Sequence, residues 1–202
     1  MQIILATKNE GKVREFKQLM KDLPLQIRSL KEKDNSIDIE ESGETFKENA
    51  VIKARVAAER FNQTAVADDS GLEVDFLEGR PGVFSARFAG QGANDRENNQ
   101  KLLKELKGVP DANRTARFRC SIALVTPDGN VFAEEGTCEG VIGHVEKGDS
   151  GFGYDPLFYV PEFKKTFAEL DMETKNRISH RAKAYRKARE ILTDLLLKYR
   201  ET

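Results

Sequence analysis

Between Gln2 and Ala67, short apolar runs alternate with segments whose apolar residues recur at helical spacing. Residues 2–6 read as a strand, and after a polar turn at residues 7–11 the side chains of Val13, Phe16, Leu19 and Met20 fall on one helical face. Residues 25–30 read as a second strand and the polar stretch 31–43 as a loop. Thr45 and Glu48 have capping-box spacing, in which each side chain satisfies an orphan backbone N–H at a helix start. The helix they open carries Val51, Ala54, Ala58 and Phe61 on one stripe and is expected to end near Asn62. Residues 64–67 form another strand, expected to stop at Asp68-Asp69-Ser70-Gly71. Such alternation buries one stripe of each helix on a sheet, the arrangement of α/β proteins.

The second half changes period. Residues 77–92 hold several Gly and one Pro and read as loop. Residues 94–106 predict a helix with Leu102, Leu103 and Leu106 inward. Ala116, Phe118, Cys120, Ile122 and Leu124 then alternate with Arg117, Arg119, Ser121, Ala123 and Val125, and the turn signal Pro127-Asp128-Gly129-Asn130 leads into a strand from Val131. Two strands joined this way form an antiparallel hairpin. Ala182, Tyr185, Ala188, Leu192, Leu195 and Tyr199 mark a long amphipathic helix with Ser179 at its N-cap. No linker, repeat or low-complexity segment divides the 202 residues, so one domain over residues 1–202 is expected.

Composition excludes several functions. Lys and Arg number 33 against 34 Asp and Glu, a net charge of −1. Proteins that grip a nucleic-acid backbone usually show a basic excess or a basic stripe, and neither stands out in this sequence. No apolar run approaches the roughly 20 residues that span a bilayer. Residues 1–5 carry no basic run of a secretory signal, and Cys120 and Cys138 have neither disulfide-framework numbers nor zinc spacing. A reducing cytoplasm is the expected compartment.

Four segments carry candidate chemistry. Thr7, Lys8, Asn9, Glu10, Gly11 and Lys12 lie between a strand and a helix, where unpaired N–H groups and the dipole attract phosphate. The spacing is not that of a Walker A loop, and a capped turn with solvated lysines is the structural alternative. Asp68-Asp69 at a strand end suits Mg²⁺, which takes one or two carboxylates plus phosphate oxygens. Glu40 or Glu41, in the polar loop, supplies a second carboxylate, and an ordinary turn is the alternative. Residues 148–156 contain three glycines and two aromatics, able to pack flat against a base or merely to connect a hairpin. Lys175 precedes Ser179-His180-Arg181, whose cations in a helix's first turn oppose the dipole and sit less easily with a purely structural role, although a lone His is more often structural than functional.

Taken in order, Thr7 to Lys12, Glu40 with Ser42-Gly43-Glu44-Thr45, Asp68-Asp69-Ser70-Gly71-Leu72, Pro81-Gly82-Val83-Phe84-Ser85-Ala86-Arg87, Gly151-Phe152-Gly153-Tyr154-Asp155-Pro156 and Ser179-His180-Arg181 resemble the inosine triphosphate pyrophosphatase family. The resemblance runs from Leu5 to the last helix. It implies a two-lobed α/β fold, a long curved mixed sheet with flanking helices and a central nucleotide-binding cleft. It implies hydrolysis of dITP, ITP and XTP to monophosphate and pyrophosphate with Mg²⁺, and a homodimer. By the same resemblance residues 7–12, with Asn9 and Lys12 foremost, bind the triphosphate, and Lys53 lies near the phosphates. Glu40 and Asp69 hold the metal, and Asp69 is the proton acceptor. Ser70, Phe152, Gly153, Tyr154, Asp155, Lys175, His180 and Arg181 contact substrate. Two other readings are a Maf-type pyrophosphatase acting on modified pyrimidine nucleotides and a nucleotide sensor without turnover. Arginine donors facing a purine O6 would favour 6-keto bases over adenine, whose amino group leaves them unpaired. Arg181 is the residue expected to do this.

Overall fold

The computed structural model describes residues 1–198, so the expected helix position Tyr199 lies outside the described residues. Thirteen elements follow in order: β1 (Gln2–Leu5), α1 (Glu10–Leu19), β2 (Gln26–Ser29), α2 (Leu30–Lys33), α3 (Phe46–Phe61), β3 (Thr64–Val74), α4 (Asp95–Glu105), β4 (Thr115–Val125), β5 (Val131–Ile142), β6 (Phe158–Val160), β7 (Lys165–Thr166), α5 (Met172–Ile178) and α6 (His180–Lys198), with short 3-10 turns among them. The strands form one open sheet in the order β2-β1-β3-β4-β5-β6-β7. β1 runs parallel to β2 and β3, while β6 is antiparallel to β5 and β7. The α/β class and mixed sheet are as the alternation and the resemblance imply.

By compactness the chain divides into two units, cut within β3, β4 and β5 and between His180 and Arg181. Unit 1 comprises residues 1–69, 120–136 and 181–202; unit 2 comprises residues 70–119 and 137–180. In unit 1, alternate residues of each strand face opposite ways. Ile3, Leu5, Val66, Cys120, Ile122 and Leu124 pack with Phe16 and Met20 of α1 and its cap and with Ala184, Tyr185, Ala188 and Leu192 of α6. Ile4, Ala6, Ala65, Ala67, Ala123 and Val125 pack with Ala50, Ala54, Ala57 and Ala58 of α3. Unit 2 has its own core around Leu72, Val74, Leu102, Leu106, Phe118, Phe158 and Phe167. Each fully buried large side chain in these clusters contributes about 1.5–3 kcal/mol relative to exposure.

Caps explain the helix starts. Thr45 and Glu48 form the expected capping box on α3, and Asn62 closes it in the left-handed conformation. Asn94 and Glu97 form another on α4. Two expectations need correction, and two stretches carry no periodic signal at all. The stretch 31–43 is not all loop, because Ser29 and Glu32 build a capping box that starts α2. α5 has no periodic signal of its own: Asp171 caps it, and Ser179, its C-cap, stands in extended backbone immediately before α6, at the position where the α6 N-cap is expected. β6 and β7 are too short to show a period, and the glycine-rich residues 148–156 lie in the connection between antiparallel β5 and β6. Most consequentially, β3 does not stop at Asp68 but continues to Val74. What ends there is its parallel pairing with β1, whose last register pair is Leu5 with Val66, followed by the Ala6 N–H donating to the Val66 carbonyl at 2.7 Å. Asp68 and Asp69 therefore stand in mid-strand, just past the point where β1 gives way to the turn into α1.

Candidate active site

Because Asp68 and Asp69 are successive strand residues, their carboxylates enter opposite faces of β3. Asp68 follows Val66 on the α1 and α6 side. It is 1% exposed and receives Lys12 of α1 at 2.9 Å and Arg181 of α6 at 3.6 Å, while Arg181 also meets Glu15 at 2.6 Å. Burial would raise the Asp68 carboxyl, but Lys12, Arg181 and Lys53 outweigh it and hold the group below its usual range. Burial alone would lower the Arg181 guanidinium as well, and Glu15, Tyr185 and Asp68 together reverse that.

Asp69 follows Ala67 on the α3 side. Asn49 donates to its Oδ2 at 3.1 Å and Lys53 to its Oδ1 at 3.4 Å. Lys53 in turn meets Glu41 at 2.5 Å. Here burial wins: it pushes the Asp69 carboxyl above the usual range against Lys53, and Glu41 adds to the rise. The two adjacent carboxylates are thus shifted in opposite directions, Asp68 lowered among cations and Asp69 raised by burial. Asn49 is itself held by the Gly43 N–H, which donates to its Oδ1 at 2.8 Å. A Cβ on Gly43 would lie 2.8 Å from that oxygen and 2.7 Å from Glu48 Cβ, so the approach needs glycine.

The strand-to-helix turn is built as the sequence suggests. Asn9 caps α1 by accepting from the Lys12 N–H, and Thr7 Oγ1 accepts from the Asn9 N–H at 3.1 Å. Gly11 lies in the first turn of α1. Lys12 points to Asp68, but the exposed Lys8 and Glu10 do not gather there; they meet Asp38 at 3.9 Å and Lys31 at 2.6 Å. Glu40 is exposed and pairs with no cation among the described residues, whereas its neighbour Glu41 is engaged with Lys53.

Unit 2 holds the other residues singled out in the sequence. Lys175 of α5 and Asp155 are both buried and form an ion pair at 2.6 Å, with the Lys175 ammonium 5.5 Å from the Phe152 ring centre. The Phe152 N–H donates to Asp155 at 3.1 Å and the Tyr154 hydroxyl to the Ser85 carbonyl at 2.8 Å. Gly151 sits at φ +86°, and a Cβ there would fall 2.0 Å from Asp155 Oδ2. The His180 ring stacks on Phe118 at 4.7 Å and 14°. Ser70 is half-buried in β3. Sequence reasoning missed Asn49, Glu15, Asp95 and Asn99 and gave Asp68 no role of its own. The one available signal was polar residues such as Asn49 and Lys53 at i, i+4 on a helix face otherwise lined by alanines.

An open mixed-sheet α/β protein with a capped strand-to-helix turn, two divergent buried carboxylates and attendant lysines belongs to the class of enzymes equipped to hold polyphosphate and activate water. The family is specific: residues 3–191 match the model of the Ham1 family, and the chain belongs to it. It is 57% identical over 197 residues to a dITP/XTP pyrophosphatase of Desulforamulus reducens, covering 98% of each chain. It is 53% identical to a dITP/XTP pyrophosphatase of Halalkalibacterium halodurans, covering 88% of this chain and 92% of that one. Among solved structures, the Ham1 protein of Coxiella burnetii matches with a TM-score of 0.88 at 43% identity, and that of Staphylococcus aureus with 0.87 at 41%. Each comparison covers 96% of this chain and 99% of the other.

Proposed function

We propose that this chain hydrolyses the non-standard purine triphosphates dITP, ITP and XTP to nucleoside monophosphate and pyrophosphate. The observation that carries the reading is the pair Asp68 and Asp69, adjacent in β3 yet shifted in opposite directions by Lys12 and Arg181 on one side and by burial on the other. Relatives named dITP/XTP pyrophosphatase at up to 57% identity supply the substrate class.

Asp69 takes the proton of a water attacking the α-phosphorus; the α–β phosphoanhydride bond breaks and pyrophosphate leaves. Lys12 and Lys53 balance phosphate charge, and the first turn of α1 offers backbone N–H groups to it. The donor set suits Mg²⁺, since Asp69 is a carboxylate and the exposed Glu40, next to Glu41 in the loop, pairs with no cation among the described residues. These two would hold the ion, which when bound neutralises charge on phosphate oxygens. The resemblance assigns the remaining substrate contacts to Ser70, Phe152 to Asp155, Lys175, His180 and Arg181. It also implies a homodimer, and the two buried cysteines, both in the thiol form, fit a reducing cytoplasm. No helix among the described residues is long and apolar enough to cross a membrane.

The test is a panel of triphosphates with Mg²⁺ in ¹⁸O-labelled water, with products identified. Label on the monophosphate of ITP or XTP supports the reading, and label in pyrophosphate places attack at the β-phosphorus and refutes the mechanism. Preference for modified pyrimidine nucleotides, or binding without pyrophosphate release, would replace it.

A further inference from the structure

In unit 2 the Phe152–Asp155 segment is held at its centre by a helix that no site motif includes. Gly153 has φ +62°, a left-handed conformation. Its N–H donates to Asp95 Oδ2 at 2.7 Å, and its carbonyl accepts from Asn99 Nδ2 at 3.1 Å. Asp95 and Asn99 are four residues apart on α4, so one helix face grips the donor and the acceptor of the same residue. Asn99 is 3% exposed, and its Oδ1 has no hydrogen-bond partner among the described residues. The buried Asn99 amide is therefore anchored through its Nδ2, and cutting that bond would leave both ends of the amide unpaired.

α4 is itself firmly placed. Asn98 accepts from the Ala89 N–H at 2.8 Å and donates to the Ala86 carbonyl at 3.2 Å. Lys101 donates to the Phe88 carbonyl at 2.5 Å, and the buried Arg114 guanidinium to the Leu106 carbonyl at 2.9 Å, fixing the helix's far end. On the other flank of the segment, the Asp155–Lys175 pair of α5 secures Phe152. From α4 comes the grip on Gly153, which fixes the orientation of the peptide groups on both sides of it and so the backbone between Phe152 and Tyr154.

We infer that Asp95 and Asn99 are positioning residues that preset the Phe152–Asp155 segment for substrate. This rests on the reading, made above, that the segment contacts the purine nucleotide. A preset loop spares the ordering cost of binding, so loosening it weakens binding more than it slows turnover.

The test uses Asp95→Ala, Asn99→Ala and Asp95→Asn, the last keeping an acceptor oxygen. The Asn94–Glu97 capping box that starts α4 is untouched in all three. Two quantities are read in the full-length protein: amide hydrogen exchange over residues 148–157, and KM and kcat for ITP with Mg²⁺. The expected result is faster exchange confined to residues 148–157 in both alanine variants. KM should rise roughly 3- to 10-fold, the size of one lost hydrogen bond, with kcat within about twofold and Asp95→Asn close to wild type in both readouts. Unchanged exchange in both alanine variants overturns the clamp itself. Faster exchange with unchanged KM also overturns the inference, and locates the failure in the assignment of the segment to substrate rather than in the clamp.

Discussion

Neutralising either carboxylate of β3 is a near-isosteric change, yet the two should fail in different ways. Asp68→Asn removes the anion that Lys12 and Arg181 share inside the α1–α6 face of unit 1. Removing one partner of a buried pair costs about 3–5 kcal/mol, chiefly through the charge left behind. The lower end applies here, because Arg181 keeps Glu15 at 2.6 Å and the Lys12 side chain retains 15% exposure. At about 3 kcal/mol, a domain of this size loses roughly 6–12 °C in Tm. Asp69→Asn leaves Lys53 paired with Glu41 and relieves a carboxylate that burial disfavours, so its stability should stay within about 1 kcal/mol of wild type. Its turnover should fall about 10²- to 10⁴-fold, the usual cost of losing a general base. Urea unfolding followed by circular dichroism gives the first quantity and pyrophosphate release from ITP the second. A stable Asp68→Asn, or an Asp69→Asn retaining turnover within a few-fold of wild type, would refute the division of labour read from the strand.

Arg181→Lys keeps the charge facing Glu15 and Asp68 but loses the guanidinium fork. If Arg181 reads purine O6, the ITP-to-ATP ratio of kcat/KM should fall by about 5- to 150-fold, corresponding to roughly 1–3 kcal/mol for one base contact. An unchanged ratio would make Arg181 solely a strut for Asp68. Gly151→Ala forces a Cβ to 2.0 Å from Asp155 Oδ2 at φ +86°; displacing that carboxylate leaves the buried Lys175 ammonium without it. A loss of about 3 kcal/mol or more is expected by thermal unfolding, and a loss under 1 kcal/mol would mean the segment relaxes freely.

Much of this protein is local and therefore readable in one dimension. The helix starts at Thr45 and Asn94 depend on side chains three residues apart, and the core faces of β4 and α6 depend on periods of two and 3.6. The ordered motifs identified the family before any distance was known. Tertiary structure decided what depends on which residues meet. The four residues Asp68-Asp69-Ser70-Gly71 resemble a turn in isolation, but lateral pairing within the sheet carries β3 on to Val74. That extension sends adjacent carboxylates to opposite faces, and the faces differ in the cations that α1, α3 and α6 bring. The opposed shifts of Asp68 and Asp69 arise from those long-range encounters. So does the grip of Asp95 and Asn99 on a glycine more than fifty residues away, for which no spacing rule in the sequence exists.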